Sequence, residues 1–347
     1  MAKRILIFIM PALLAALLFT SCEKEVTTVK LPERAVLKIS FSPINSSSVT
    51  KATGSNHGNS TNDAFVNTLQ IFVFSSDGSL DAYKVETGSP VSLKSGTTAI
   101  DFDITVAKGI KDIYAIANSH DVAGFASIKT KTDLISKTSN IKKEDVKNFF
   151  MIGYIENENV TGDKTVTLQL NRHISRIELK SVQTAFTGGY SGEIITNVKA
   201  YLINVNSSST ITGTGGMMLN QGHHIASDTT GFEMPAMLGS SLPNITSTYS
   251  NSSNFFYCYE NNSQTAKTML VVEGTLNAKT YYYPIIICDN ILSETYSLSK
   301  NTSYEITNMI ITRPGSDSPD KEVEKGTISV SMTVTDWTTK TIATITI

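Results

Sequence analysis

Cys22 is the residue whose type and position point most directly to chemistry. It follows Phe19-Thr20-Ser21 and closes a run in which Lys3 and Arg4 precede an apolar block from Ile5 to Phe19. That block is too short and wrongly flanked for an ordinary membrane span, and it reads as a secretory signal over residues 1–21. Small residues at the two positions before a cysteine are the grammar of a bacterial lipobox, here with Phe19 where Leu is commoner. Cys22 then becomes the lipidated first residue, and several acyl chains on one cysteine anchor a protein stably to a membrane. The plainer alternative is a signal peptide that happens to end near a cysteine.

Other reactive side chains do not assemble into a pattern. The five histidines, His57, His120, His173, His223 and His224, form no H-E-x-x-H motif, and neighbours such as His223 and His224 point to opposite faces of a strand. There is no G-x-S-x-G elbow, and Gly213-Thr214-Gly215-Gly216 lacks the lysine of a phosphate loop. Asp101 and Asp103 share a strand face without the glycine and distal glutamate of a calcium loop. Tyr281-Tyr282-Tyr283 could offer a sugar platform, but period two splits the three between surface and core. Cys258 and Cys288 suit two buried thiols at least as well as one bridge. These absences point away from an enzyme and imply no cofactor and no metal.

The elements that carry these residues are strands. Only 17% of the 347 residues are charged and the formal charge is −2, which leaves no nucleic-acid footprint. Alternation by two recurs almost throughout, whereas helical periodicity is confined to Asp133–Phe150, where Lys142-Lys143-Glu144-Asp145 suggests a short surface helix. The first strand, Ala35 to Phe41, puts Ala35, Leu37, Ile39 and Phe41 on one face. Ser42 to Asp63 then reads as a polar linker too poor in apolar residues to hold a fixed structure. Strands resume at Thr68–Phe74, turn at Ser76-Asp77-Gly78, and run on through Ala99–Val106 and Asp112–Ala117. A second series begins after Asn171-Arg172-His173, a candidate interdomain joint. The expected fold is all-β, with two β-sandwiches over residues 52–170 and 171–347, and Trp337 in the second core.

Six stretches, VNTLQIFVFSSDGSL, GIKDIYAIANSHD, LNRHISRIELKSV, FFYCYENNS, LVVEGTLNAKTYYYPIII and LSKNTSYEITNMIITRPGSDSPDKEVEKGTISVSMTVTDW, fall in order behind the lipobox. Together they resemble the FimA/Mfa-type fimbrillins, the lipoprotein pilins of type V fimbriae, over nearly the whole chain. The resemblance implies two transthyretin-like Greek-key sandwiches in tandem, exported as an outer-membrane lipoprotein precursor. It also implies a protease that removes the first strand, here with residues 22–51, so that a strand from another subunit fills the groove.

The family's cleavage position, an Arg before a small residue, corresponds here to Lys51-Ala52, and lysine for arginine puts an Arg-specific protease in question. The candidate donor is the tail 338–347, where Ala343, Ile345 and Ile347 alternate with Thr, together with Ile328, Val330, Met332 and Val334. Pattern alone leaves open whether that segment is instead an edge strand of its own domain. The partners this reading expects are other copies of the chain and related subunits, outer-membrane lipid through Cys22, a processing protease and a host receptor. Its functional alternative is a monomeric surface lipoprotein that binds glycans or host proteins through its loops.

Overall fold

The computed structural model describes residues 32–42, 65–92, 101–145, 148–212, 218–219, 239–248, 250–290, 293–324, 326–336 and 343–346. Cys22, Lys51, Ala52, Trp337, residues 338–342 and Ile347 lie outside them, so the lipidation, cleavage and tryptophan expectations are untouched by the fold.

The first strand set comprises β1 (Arg34–Ser42), β2 (Phe65–Ser75), β3 (Leu80–Ser92), β4 (Asp101–Ala107), β5 (Gly109–Ala117), β6 (Thr138–Asn140), β7 (Met151–Val160), β8 (Lys164–Gln169) and β9 (Asn171–Arg172). Three of these form a sheet in the order β4-β1-β8, and five form a second in the order β3-β2-β5-β7-β9. The turn after β2 forms as its residues require: Gly78 takes a φ of 81°, and the Asp77 carboxylate accepts the Ser79 amide at 2.9 Å.

The later chain supplies β10 (Ile174–Thr184), β11 (Thr196–Ile203), β12 (Val205–Asn206), β13 (Ser208–Thr210), β14 (Met218–Leu219), β15 (Gly239–Ser241), β16 (Ser250–Tyr259), β17 (Met269–Leu276), β18 (Lys279–Ile286), β19 (Thr302–Ile311), β20 (Ile328–Asp336) and β21 (Ala343–Thr346). Its two large sheets run β16-β10-β19-β20-β21 and β15-β11-β17-β18. The two sets share one design. β1 lies between an antiparallel neighbour, β4, and a parallel one, β8; β10 likewise lies between antiparallel β16 and parallel β19.

Packing obeys the alternation. Leu69, Ile71 and Val73 of β2 join Leu37, Ile39 and Phe41 of β1 in one buried cluster. The opposite face of β2, with Phe72 and Phe74, is covered by two one-turn helices, α1 (Val122–Ala126) and α2 (Lys131–Ile135), through Phe125 and Leu134. Sheet β3-β2-β5-β7-β9 is therefore buried on both faces at its centre, which is why β2 reads as a nearly continuous apolar run.

The helix suggested at Lys142–Asp145 is replaced by a single 3-10 turn, Ile141–Lys143, and the true helical turns fall earlier. Glu144 explains the difference: it is 2% exposed, not on a solvated helix face, and its carboxylate accepts the Phe150 amide at 3.0 Å. β3 and β7 escaped the sequence reading because both are rich in Gly, Glu, Asn or Pro and are held by their neighbours rather than by propensity.

Candidate functional site

The seat of β1 is the candidate site. Residues Arg34 to Ser40 pair antiparallel with Ala107 to Asp101 of β4, and Leu37 to Ser42 pair in parallel with Lys164 to Gln169 of β8. β1 is thus an interior strand, hydrogen-bonded on both sides. Its four inward residues are as sealed as any in the molecule: Ala35 is 3% exposed, Leu37 and Ile39 are 0%, and Phe41 is 1%. Phe41 meets Phe102 of β4 edge to face, with ring centroids 5.8 Å apart. Burying the three larger side chains contributes roughly 1.5–3 kcal/mol each, so the seat holds about 4.5–9 kcal/mol of apolar stabilisation before its ladders are counted.

Polar groups mark the end where β1 enters. Leu37 is its first residue paired with β8, and just before it the Val36 amide donates to Asp163 Oδ1 at 2.8 Å, so a side chain from the β7–β8 turn extends the ladder by one bond. On the other side the Arg34 guanidinium donates to the Thr105 carbonyl at 2.8 Å and stands 4.0 Å from Asp81 Oδ1. Asp81 is itself fixed, because its other oxygen accepts both the Ala107 amide and the nearly buried Lys111 ammonium at 2.8 Å. Sequence reasoning found the four core residues of β1 but not Asp81, Thr105 or Asp163. No local pattern links residues 34 and 163.

The candidate donor residues lie elsewhere. Ala343 to Thr346 form β21 at the outer edge of the sheet, antiparallel to Val334–Ser331 of β20 over four residues. β20 is a different case: it pairs with β19 along its length, and Val330 and Met332 are 1% and 0% exposed. Ile328, Val330, Met332 and Val334, grouped with the tail in the sequence reading, thus lie on β20, an interior strand between β19 and β21, while β21 is one of the two edges of its sheet.

Among the described residues, His120, His173, Glu144, Cys258 and Cys288 are held as structure and not as an open site, and His57, His223 and His224 lie outside those residues. Glu144 accepts from the Tyr259 hydroxyl at 2.8 Å, with His120 Nε2 3.5 Å away, and the Glu144 side chain is fully enclosed. His173 shares a 2.9 Å hydrogen bond with Ser209, and burial, with the charge of Lys300 adding, pulls its pKa down to about 3, so the ring is neutral. These contacts and the β6–β13 pairing join the first strand set to the second. Cys258 and Cys288 are buried free thiols, and burial raises both pKa values, which leaves them unreactive. Tyr283 is buried in the core while Tyr282 lies on the other sheet face, so the three tyrosines present no common platform. Among the described residues no group of His, Cys, Asp or Glu could hold a metal ion.

Residues 35–187 match the family model of the major fimbrial subunit protein, FimA. The match begins at Ala35, the first core residue of β1, and runs past β10, so the strand seat and its neighbours carry the family pattern. The matched span holds the first three of the six stretches that carry the fimbrillin resemblance, and the family it describes is one of major fimbrial subunits, structural proteins of surface fimbriae. No curated protein matches the sequence.

Solved structures agree on the fold. A candidate cell adhesion protein from Bacteroides eggerthii is 22% identical, with a TM-score of 0.62 over 88% of this chain and 97% of its own. A fimbrilin from Porphyromonas gingivalis is 14% identical, with a TM-score of 0.58 over 88% and 98%. The tip fimbrial protein Mfa3 of Porphyromonas gingivalis, C-terminally truncated, is 15% identical, with a TM-score of 0.51 over 88% and 100%. At these identities the likeness is one of β-sandwich architecture.

Proposed function

We propose that this chain is a fimbrial subunit that polymerises by donor-strand exchange and serves cell adhesion. It is exported as an outer-membrane lipoprotein anchored through Cys22, cut at Lys51-Ala52 so that residues 22–51 are lost with β1, and completed by the 338–347 tail of another subunit bearing Ala343, Ile345 and Ile347. Residues 52–170 and 171–347 are then two sandwiches in tandem, met at Asn171-Arg172-His173.

The observation that carries this reading is the place of β1. It fills an interior slot between β4 and β8, yet residues 43–64 separate it from the next strand, whereas its counterpart β10 is joined to β11 by a connection about half that long. Cleavage in the 43–64 connection frees β1, the first of the described strands, and leaves the later ones covalently joined. The loss exposes two unpaired ladders and an apolar trough, and a strand from a neighbour restores both. The donor side is consistent in cost, because β21 gives up four edge pairings where β20 would give up a core.

The test is to compare the intact chain with one lacking residues through Lys51 and one also lacking residues from Thr338, by gel filtration and by unheated detergent gels. The first stays monomeric, the second forms ladders that collapse on heating, and the third forms none. A stable monomer from the second, or equal ladders from the third, would leave the monomeric surface binder as the better reading.

A further inference from the structure

We infer that the groove left by β1 admits the C-terminal segment of a second copy in one register, with Lys340 in the place of Arg34 and Ile347 in the place of Phe41. This rests on the strand-exchange reading above and specifies its geometry.

The two segments can be read against each other. Arg34-Ala35-Val36-Leu37-Lys38-Ile39-Ser40-Phe41 and Lys340-Thr341-Ile342-Ala343-Thr344-Ile345-Thr346-Ile347 agree in class at six of eight positions. Cation faces cation, Ile342 stands for Val36, Ala343 for Leu37, Ile345 for Ile39, Thr346 for Ser40 and Ile347 for Phe41. The exceptions are Thr341, a small residue at the Ala35 seat, and Thr344 at the outward Lys38.

The groove supplies the selection. Only residues of one parity can face inward, because a slip of one places every side chain on the wrong face. Slips of two keep the parity, and here the fixed acid at the entrance decides. Asp81 is held by the Ala107 amide and by Lys111, and its remaining oxygen faces the position occupied by the Arg34 guanidinium at 4.0 Å. The chosen register brings Lys340 there. One slip of two brings Ile342 to the acid and moves Ile347 back to the Ile39 seat, leaving the Phe41 seat to a residue beyond this segment. The opposite slip brings Thr338 to the acid and sets Thr341 and Ala343 at the Leu37 and Ile39 seats, both 0% exposed and filled by larger side chains in β1. Asp163 serves any incoming strand alike, since it binds a backbone amide.

The side-chain volumes have a second consequence. Alanine for Leu37 and isoleucine for Phe41 fill the trough less completely than β1 does, so a subunit that retains β1 resists invasion. Exchange therefore waits on removal of the better-fitting strand.

Register is read by cross-linking in cells that export and process the full chain. The Val36 amide points to Asp163 and so away from β4, which makes Val36 and Thr105 a non-hydrogen-bonded pair, where facing Cα atoms are about 4.5 Å apart. Thr105→Cys with Ile342→Cys should give oxidised ladders of surface polymer; Thr105→Cys with Lys340→Cys or Thr344→Cys should not. Asp103→Cys with Thr344→Cys, two residues along, should repeat the positive result. Lys340→Glu should slow polymer growth about twofold to fivefold, the range expected of a partly exposed ion pair. Cross-linking through the Lys340→Cys or Thr344→Cys partner of Thr105→Cys overturns the register and leaves strand exchange standing. Polymer that forms with no cross-link from any pair overturns C-terminal donation itself.

Discussion

Phe41→Ala should destabilise the unprocessed chain and leave the processed one unchanged. Phe41 is 1% exposed, it contacts Phe102 edge to face at 5.8 Å between centroids, and the strand that bears it is paired on both sides. Truncating such a ring removes its transfer free energy and leaves a cavity the two flanking strands cannot close, a loss of about 3–5 kcal/mol. With an m-value of roughly 2–3 kcal/mol/M, urea unfolding followed by far-UV circular dichroism should show the midpoint fall by roughly 1–2.5 M. Val36→Ala on the same strand is the control: Val36 is 38% exposed on the outer face, and its loss should cost less than about 1 kcal/mol. Cleavage in the 43–64 connection removes residue 41 altogether, so mature polymers from the native and Phe41→Ala chains should melt alike. A loss below about 1 kcal/mol in the intact chain would refute the packing assigned to β1. A difference that persists after processing would refute its removal.

Cys22→Ala should release the protein from membranes or trap its precursor, and normal membrane fractionation of that variant would sink the lipoprotein reading. Acid should weaken the fold through His173: its unfolded pKa near 6.5 falls to about 3 on burial, so the stability is complete above pH 6.5 and declines as pH drops from there toward 3, by up to about 1.4 kcal/mol per pH unit. His173→Gln should reduce the loss seen in urea midpoints between about pH 7.5 and 5, and an unchanged loss would show that another group carries it.

Much of the architecture was written in local pattern. Period-two alternation marks β1, β2, β5, β10, β17 and β19 because each has one face or both in a core, and the Ser76-Asp77-Gly78 turn comes from what those residues do to a backbone. The first core strand was legible for the same reason, as Ala35, Leu37, Ile39 and Phe41 alternate in front of a long polar stretch and are all buried. What the sequence could not yield was the seat. That β1 lies between β4 and β8 and not at an edge depends on residues 60 to 130 positions away, whose pairing is set by the closing of a shared core. The same holds for Asp81 and Asp163, ordinary exposed carboxylates by type, which come to flank the start of β1 only when β3 and the β7–β8 turn are folded against it. Glu144 shows the point most sharply. Its neighbours suggested a solvated helix, yet it is buried because Tyr259, 115 residues on, and the Phe150 amide supply the donors that a carboxylate requires away from water.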